Sequence, residues 1–186
     1  MSKEHTIVSI DYSMSCPAVT VHIGNKWSFK NCKFNYITQV KKFEIKTETI
    51  NSILYKDWVS DEERYDYLSE WVIEIITKAS PDLICMEGYS FASHGRGNSI
   101  GELTGLLKHK IWDLGYSLHL VPPTVIKKFA VGKGNAQKDI LINEFKKETK
   151  FDIEKFLGCG LGKSPASDIV DSYFLGKYAK HTLVKD

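Results

Sequence analysis

Two short apolar runs in this chain each end in a carboxylate, and that repeated design constrains the fold more than any other feature. Thr6-Ile7-Val8-Ser9-Ile10 leads into Asp11, and Asp82-Leu83-Ile84-Cys85-Met86 leads into Glu87. Side chains alternate faces along a strand, so Ile7, Ser9 and Asp11 share one face and Val8 and Ile10 the other. A short run that is apolar on both faces and rich in β-branched residues reads as a buried strand. An acid at the end of such a strand is costly unless it is paired, hydrogen-bonded or bound to a cation.

The rest of the chain supplies partners for those strands. After a turn at residues 11–17, residues 18–23 form a second strand, and Gly24-Asn25 turns the chain again. Residues 27–29 and 43–45 are candidates for further strands, with 31–40 unassigned, so the opening reads as an antiparallel meander. Ser60-Asp61-Glu62-Glu63 fits a capping box. Tyr65, Leu68, Val72, Ile75 and Ala79 follow at helical spacing, and Ser80-Pro81 stops the helix. Ile100, Leu103, Leu107, Ile111 and Leu114 mark a second helix that Gly115 ends; Gly101 and Gly105 lie four apart on it. Residues 117–121 read as a third core strand. Short helices are expected over 124–129 and 136–147, and 151–162 reads as irregular. Ser164-Pro165 offers an N-cap with proline at the first helical position. Ile169, Val170, Tyr173, Phe174 and Tyr178 then form an apolar stripe, with Asp168 and Asp171 away from its centre. Strand–helix–strand units require parallel pairing. The expected fold is therefore α/β: one domain over 1–186, with antiparallel first strands, then parallel ones, in a mixed sheet flanked by helices.

Bulk composition excludes several classes. A chain of 186 residues with 42% hydrophobic and 26% charged residues is of ordinary globular make-up. The net charge of +2 does not by itself mark a nucleic-acid binder. Cys16, Cys32, Cys85 and Cys159 lack zinc-site or redox spacing, and Cys85 reads as a core residue. No apolar signal core follows Met1, and no apolar run approaches the roughly 20 residues of a membrane span. A cytoplasmic protein is expected.

If the two acidic strand ends pair in parallel, Asp11 and Glu87 lie side by side at the carboxyl edge of the sheet, where α/β proteins place ligand sites. Asp168 and Asp171 on a helix crossing that edge would complete a cluster of four acids, which repels itself unless a cation enters. All-oxygen ligands suit Mg²⁺ or Mn²⁺ rather than zinc. Each residue alone has an ordinary explanation: a turn-forming Asp, a solvated Glu, acids stabilising a helix start. A second cluster is basic. Lys127, Lys128, Lys133 and Lys138 surround Gly132 and Gly134, as suits a phosphate backbone or simply a solvated face. The loop after Glu87 carries Tyr89, Phe91, His94 and Arg96, whose aromatics suit either base stacking or the core.

Taken together, these segments resemble the RuvC-type Holliday-junction resolvases, a branch of the ribonuclease H-like nucleases with small members in bacteriophages. The resemblance rests on Ile10-Asp11, Ile84-Cys85-Met86-Glu87, the run Gly132-Lys133-Gly134-Asn135-Ala136-Gln137-Lys138, and Ser167-Asp168-Ile169-Val170-Asp171. It implies a homodimeric, metal-dependent endonuclease that nicks four-way DNA junctions symmetrically, leaving 5′-phosphate and 3′-hydroxyl ends. Asp11, Glu87, Asp168 and Asp171 would be catalytic and would hold two ions, Mg²⁺ or alternatively Mn²⁺. Lys138 and Lys133 would contact DNA near the scissile phosphate, with Lys127, Lys128 and Arg96 as further DNA contacts. Tyr89 or Phe91 would probe the junction core, and the helix over 100–114 would form the dimer interface. Tyr12-Ser13 stands where the family usually has Pro-Gly. A debranching or flap nuclease, a ribonuclease acting on RNA–DNA hybrids, and a non-catalytic junction-binding protein are the rival readings.

Overall fold

The computed structural model describes residues 4–88 and 97–184. Six strands form one sheet: β1 (His5–Asp11), β2 (Ala18–Gly24), β3 (Cys32–Thr38), β4 (Ile50–Leu54), β5 (Leu83–Glu87) and β6 (Leu118–Val121). Their spatial order is β4-β3-β2-β1-β5-β6. β1 pairs antiparallel with β2 and parallel with β5, and β5 pairs parallel with β6. The mixed α/β sheet expected from the sequence is therefore present, with its first two acidic strand ends in the centre.

Among the described residues six α-helices cover the two faces: α1 (Asp61–Ala79), α2 (Gly97–Asp113), α3 (Pro123–Val131), α4 (Lys138–Thr149), α5 (Ile153–Leu157) and α6 (Ala166–Thr182). The period-2 pattern of β1 and β5 decides which helix meets which residue. Val8, Ile10, Ile84 and Met86 pack with Val72 and Ile76 of α1 and Leu107 and Ile111 of α2. Ile7 and Cys85 point the other way, into a core with α3, α4, α5 and α6. α1 starts where the capping signal lies: Ser60 Oγ accepts from Glu63 N, and the Glu63 carboxylate accepts from Val59 N at 2.8 Å. Among the described residues no helix is long and apolar enough to cross a membrane.

The meander is where the sequence expectation fails. Residues 27–29 are not a strand: Trp27 turns inward to stack on His22 at 4.4 Å, and a 3₁₀ turn follows at Phe29–Asn31. Residues 43–45 are not a strand either. Tyr36 Oη and Ser52 Oγ both donate to the Phe43 carbonyl, and Ser52 Oγ also accepts from Ile45 N, so side chains take the backbone groups a ladder would use. The strand is instead the unassigned segment, where Cys32, Phe34 and Tyr36 are buried in alternation with Lys33 and Asn35. β4 joins it in parallel, so only β1, β2 and β3 form an antiparallel meander. β6 is an edge strand with Leu120 44% exposed, not a third core strand. Residues 151–162 contain the short helix α5.

α6 is the most enclosed helix. It begins one residue later than the Ser164-Pro165 signal suggests, with no side-chain cap, because Ser167 N already donates to the Lys163 carbonyl. Its seat on the sheet is built from small residues. Ser9 Oγ donates to the Ser172 carbonyl at 2.8 Å, and the Thr20 and Ser172 hydroxyls share a bond of 2.7 Å. A Cβ at Gly176 would lie 2.6 Å from both Ser9 Oγ and Trp27 Cη2. Gly176→Ala is therefore expected to cost about 1–3 kcal/mol through overpacking, read as a lower urea midpoint at unchanged slope.

Candidate active site

The parallel register of β1 and β5 pairs Ile10 with Met86, which brings the next residues, Asp11 and Glu87, to adjacent positions at the carboxyl edge of the sheet. α6 crosses this edge with its first turns. Asp168 falls in the first turn and Asp171 three residues on. Asp168 is 6% exposed, whereas Asp11, Glu87 and Asp171 are partly open to solvent. The apolar stripe read from the sequence is narrower than the buried surface of α6, which is buried nearly all round and takes in Asp168 as well.

The four acids feel one another. Burial, then the charges of Glu87, Asp171 and Asp168, hold the Asp11 carboxyl well above the usual range. Burial and the Asp171 charge push Glu87 up to about 7, against the pull of Lys127 and Lys138. Burial pushes Asp171 up to about 6, again against Lys138 and with Asp168 adding to the rise. This is the signature of like charges converging in a low-dielectric cleft.

Lys138 answers part of that charge. It is the first residue of α4, and its Nζ lies 3.2 Å from Ser167 Oγ, 3.4 Å from Asp168 Oδ1 and 3.8 Å from Asp171 Oδ2. The Gly132–Gln137 loop delivers it: a Cβ at Gly134 would sit 3.0 Å from the Thr124 carbonyl, so glycine lets the loop lie close against α3. Lys127 on α3 is near enough to lower both Glu87 and Asp171. Lys128 and Lys133 stand exposed nearby and make no ion pair with the acids. Tyr89, Phe91, His94 and Arg96 lie outside the described residues.

A hard divalent cation fits this donor set. All four acids offer oxygen, and Asp168 Oδ2 is buried with no hydrogen-bond partner. The carboxylates do not yet form a coordination shell: among the described residues no three Asp, Glu, His or Cys side chains are arranged to hold a metal ion as they stand. Charge and donor chemistry favour a cation, while the side-chain positions favour the lysine that is present. Two neighbours were not legible in the sequence. Cys16 is buried against Asp168, and burial, with Asp168 and Asp11, pushes its thiol up. Ser167 lies beside the Lys138 ammonium. The loop after Asp11 is also clamped, since Arg64 Nη2 and Tyr55 Oη both donate to the Met14 carbonyl, at 2.6 and 2.9 Å.

This architecture defines the chain by fold: it has the mixed α/β fold of RuvC. Among solved structures it is similar to Thermus thermophilus RuvC, at TM-score 0.61 and 15% identity over 96% of this chain and 95% of that one. T. thermophilus RuvC in complex with a Holliday junction substrate matches at TM-score 0.59 and 16% identity, over 95% and 96% of the two chains. The yeast mitochondrial Holliday junction resolvase Ydc2 matches at TM-score 0.55 and 16% identity, covering 94% of this chain and 77% of that one. No family model and no curated protein matches the sequence.

The raised carboxyls make a prediction about pH. Between the usual Glu value of 4.5 and about 7, folded Glu87 binds more protons than unfolded Glu87. Its contribution to stability is therefore present at low pH and is lost as pH rises through about 7. In EDTA, Glu87→Gln is expected to lose less stability than wild type between about pH 5 and 8, measured by urea denaturation.

Proposed function

We propose that this protein is a divalent-metal-dependent endonuclease that resolves four-way DNA junctions, leaving 5′-phosphate and 3′-hydroxyl ends. The observation that carries the reading is the convergence of Asp11, Glu87, Asp168 and Asp171, from three separate chain segments, at the carboxyl edge of a RuvC-type sheet. A pure DNA binder gains nothing from four acids beside phosphates. The likeness to T. thermophilus RuvC bound to a Holliday junction and to the yeast mitochondrial Holliday junction resolvase supports branched DNA as the substrate.

In this reading the four carboxylates would hold two Mg²⁺ or Mn²⁺ ions. Bound there, such ions supply a water of lowered pKa and neutralise charge on the departing 3′-oxygen. The carboxylates would place the ions, and hence positive charge, on one side of the scissile phosphate, and Lys127, Lys128, Lys133 and Lys138 would bear on its strand as further positive charge. In-line attack by water breaks the bond from phosphorus to the 3′-oxygen, with no covalent enzyme intermediate. Asp11, central to the cluster, is the residue whose charge the site can least spare.

Paired nicks in a two-fold junction call for two copies of the site, hence a homodimer with a self-complementary interface. The surface of α2 suits it. Gly101, Gly105, Lys108, His109 and Trp112 fall on one line, Trp112 is 69% exposed, and a Cβ at Gly101 or Gly105 would meet nothing within 4 Å.

The deciding experiment is cleavage of a synthetic four-way junction with Mg²⁺, beside a flap and a linear duplex of matched sequence. Paired nicks confined to the junction are expected. Equal cutting of all branched substrates would instead identify a debranching nuclease, and tight binding without cutting a junction-binding protein. Asp11→Asn is expected to lower cleavage about 10³-fold, equivalent to about 4 kcal/mol, while junction binding stays near wild type. Gly105→Leu, whose Cβ would meet nothing within 4 Å in its own subunit, is expected to keep the melting temperature of the monomeric fold. It should shift the protein toward monomer in analytical ultracentrifugation and uncouple the two nicks.

A further inference from the structure

Lys138 sits where a metal-dependent site would need its cation. Its ammonium is within 3.8 Å of carboxylate oxygens on both Asp168 and Asp171, and Ser167 Oγ is a third neighbour at 3.2 Å. The partners differ in freedom. The Lys138 side chain is 49% exposed, whereas those of Asp168 and Asp171 are 8% and 13% exposed. The acids are fixed on a helix enclosed by the core, while the lysine reaches in from solvent on a flexible stem. One ammonium also leaves the demand for positive charge unmet. Asp168 Oδ2 has no partner, and the acids do not stand in a metal-holding arrangement.

We propose that Lys138 is the internal counter-cation of the acid cluster, and that a divalent ion enters only by displacing it. This inference rests on the metal site proposed above. A small divalent ion needs carboxylate oxygens at about 2.0–2.5 Å, and the ammonium already lies 3.4 Å from Asp168 Oδ1 and 3.8 Å from Asp171 Oδ2, so an ion held by these acids comes within a few ångströms of it. Two cations that close repel strongly, so lysine docking and metal binding are negatively coupled. Lys127 adds positive charge from the Glu87 side but makes no ion pair with the acids, so Lys138 carries the competition. The displaced ammonium stays tethered at the start of α4, beside the acids, where a DNA phosphate arrives. Metal entry thus delivers the lysine to the substrate in the same movement.

The test is Mn²⁺ binding to the full chain without DNA, by calorimetry and by paramagnetic resonance of free Mn²⁺, on wild type, Lys138→Gln, Lys138→Arg and Asp11→Asn. Lys138→Gln is expected to bind Mn²⁺ about tenfold more tightly, and Lys138→Arg to remain near wild type. In EDTA, Lys138→Gln should melt lower than wild type, and saturating Mn²⁺ should raise its melting temperature by more than it raises wild type's. Equal or weaker Mn²⁺ binding by Lys138→Gln overturns the inference. If wild type still binds Mn²⁺ and Asp11→Asn does not, the metal site itself survives that failure. If neither wild type nor Lys138→Gln binds Mn²⁺, both the inference and the metal site fall.

Discussion

Everything at the sheet edge depends on how closely α6 lies against β1 and β2. Asp168, Ser172 and Gly176 are each four residues apart, so they form one line along the helix. Gly176 removes the side chain that would hold the helix away, and Ser172 bonds both Ser9 and Thr20. A larger residue at Gly176 would force the backbones apart. Ser9 faces this line and Asp11 lies two residues further along the same strand face. The contact that seats the helix therefore sets the distance between Asp168 and Asp11.

That seat brings together charges that repel. Asp11, Glu87 and Asp171 are all pushed toward their neutral forms by burial and by neighbouring carboxylates, and only Lys138 and, without an ion pair, Lys127 stand against four carboxyls. Such a cluster is unfavourable in itself, and the surrounding core must outweigh it. The core on that face is dense in aromatics: Tyr173 meets Trp27, Phe29, Phe34, Phe145 and Phe174. The rigidity that holds the acids in mutual repulsion comes from this packing one and two turns along α6.

The parts of this arrangement legible in the sequence were those with a local signature. Asp11 and Glu87 stood out because acids rarely end apolar runs, and the strand period already placed Asp11 on the face of Ile7 and Ser9. The capping box of α1 was readable because Ser60 and Glu63 interact across three residues. β3 is obscured in the sequence although Cys32, Phe34 and Tyr36 alternate with polar residues, because the more apolar neighbours around Trp27 and Phe43 carry a stronger strand signal. Those neighbours are held by aromatic stacking and side-chain-to-backbone bonds, which leave no periodicity. The pairing of Ser9 with Ser172 joins residues far apart in sequence, and nothing in either segment announces it. Lys138 was recognisable as part of a basic run, but its union with Asp168 and Asp171 depends on the packing of α4 against α6.

The position of α6 in the chain has a consequence for how such a protein is made safely. Asp11 and Glu87 lie in strands that are complete before α6 begins, while Asp168 and Asp171 belong to the helix that follows every strand. A chain still emerging from the ribosome, or one cut short before residue 166, carries at most two of the four acids. If the four acids act together as proposed, the centre stays inert until α6 has docked. Incomplete copies would then leave DNA around them uncut.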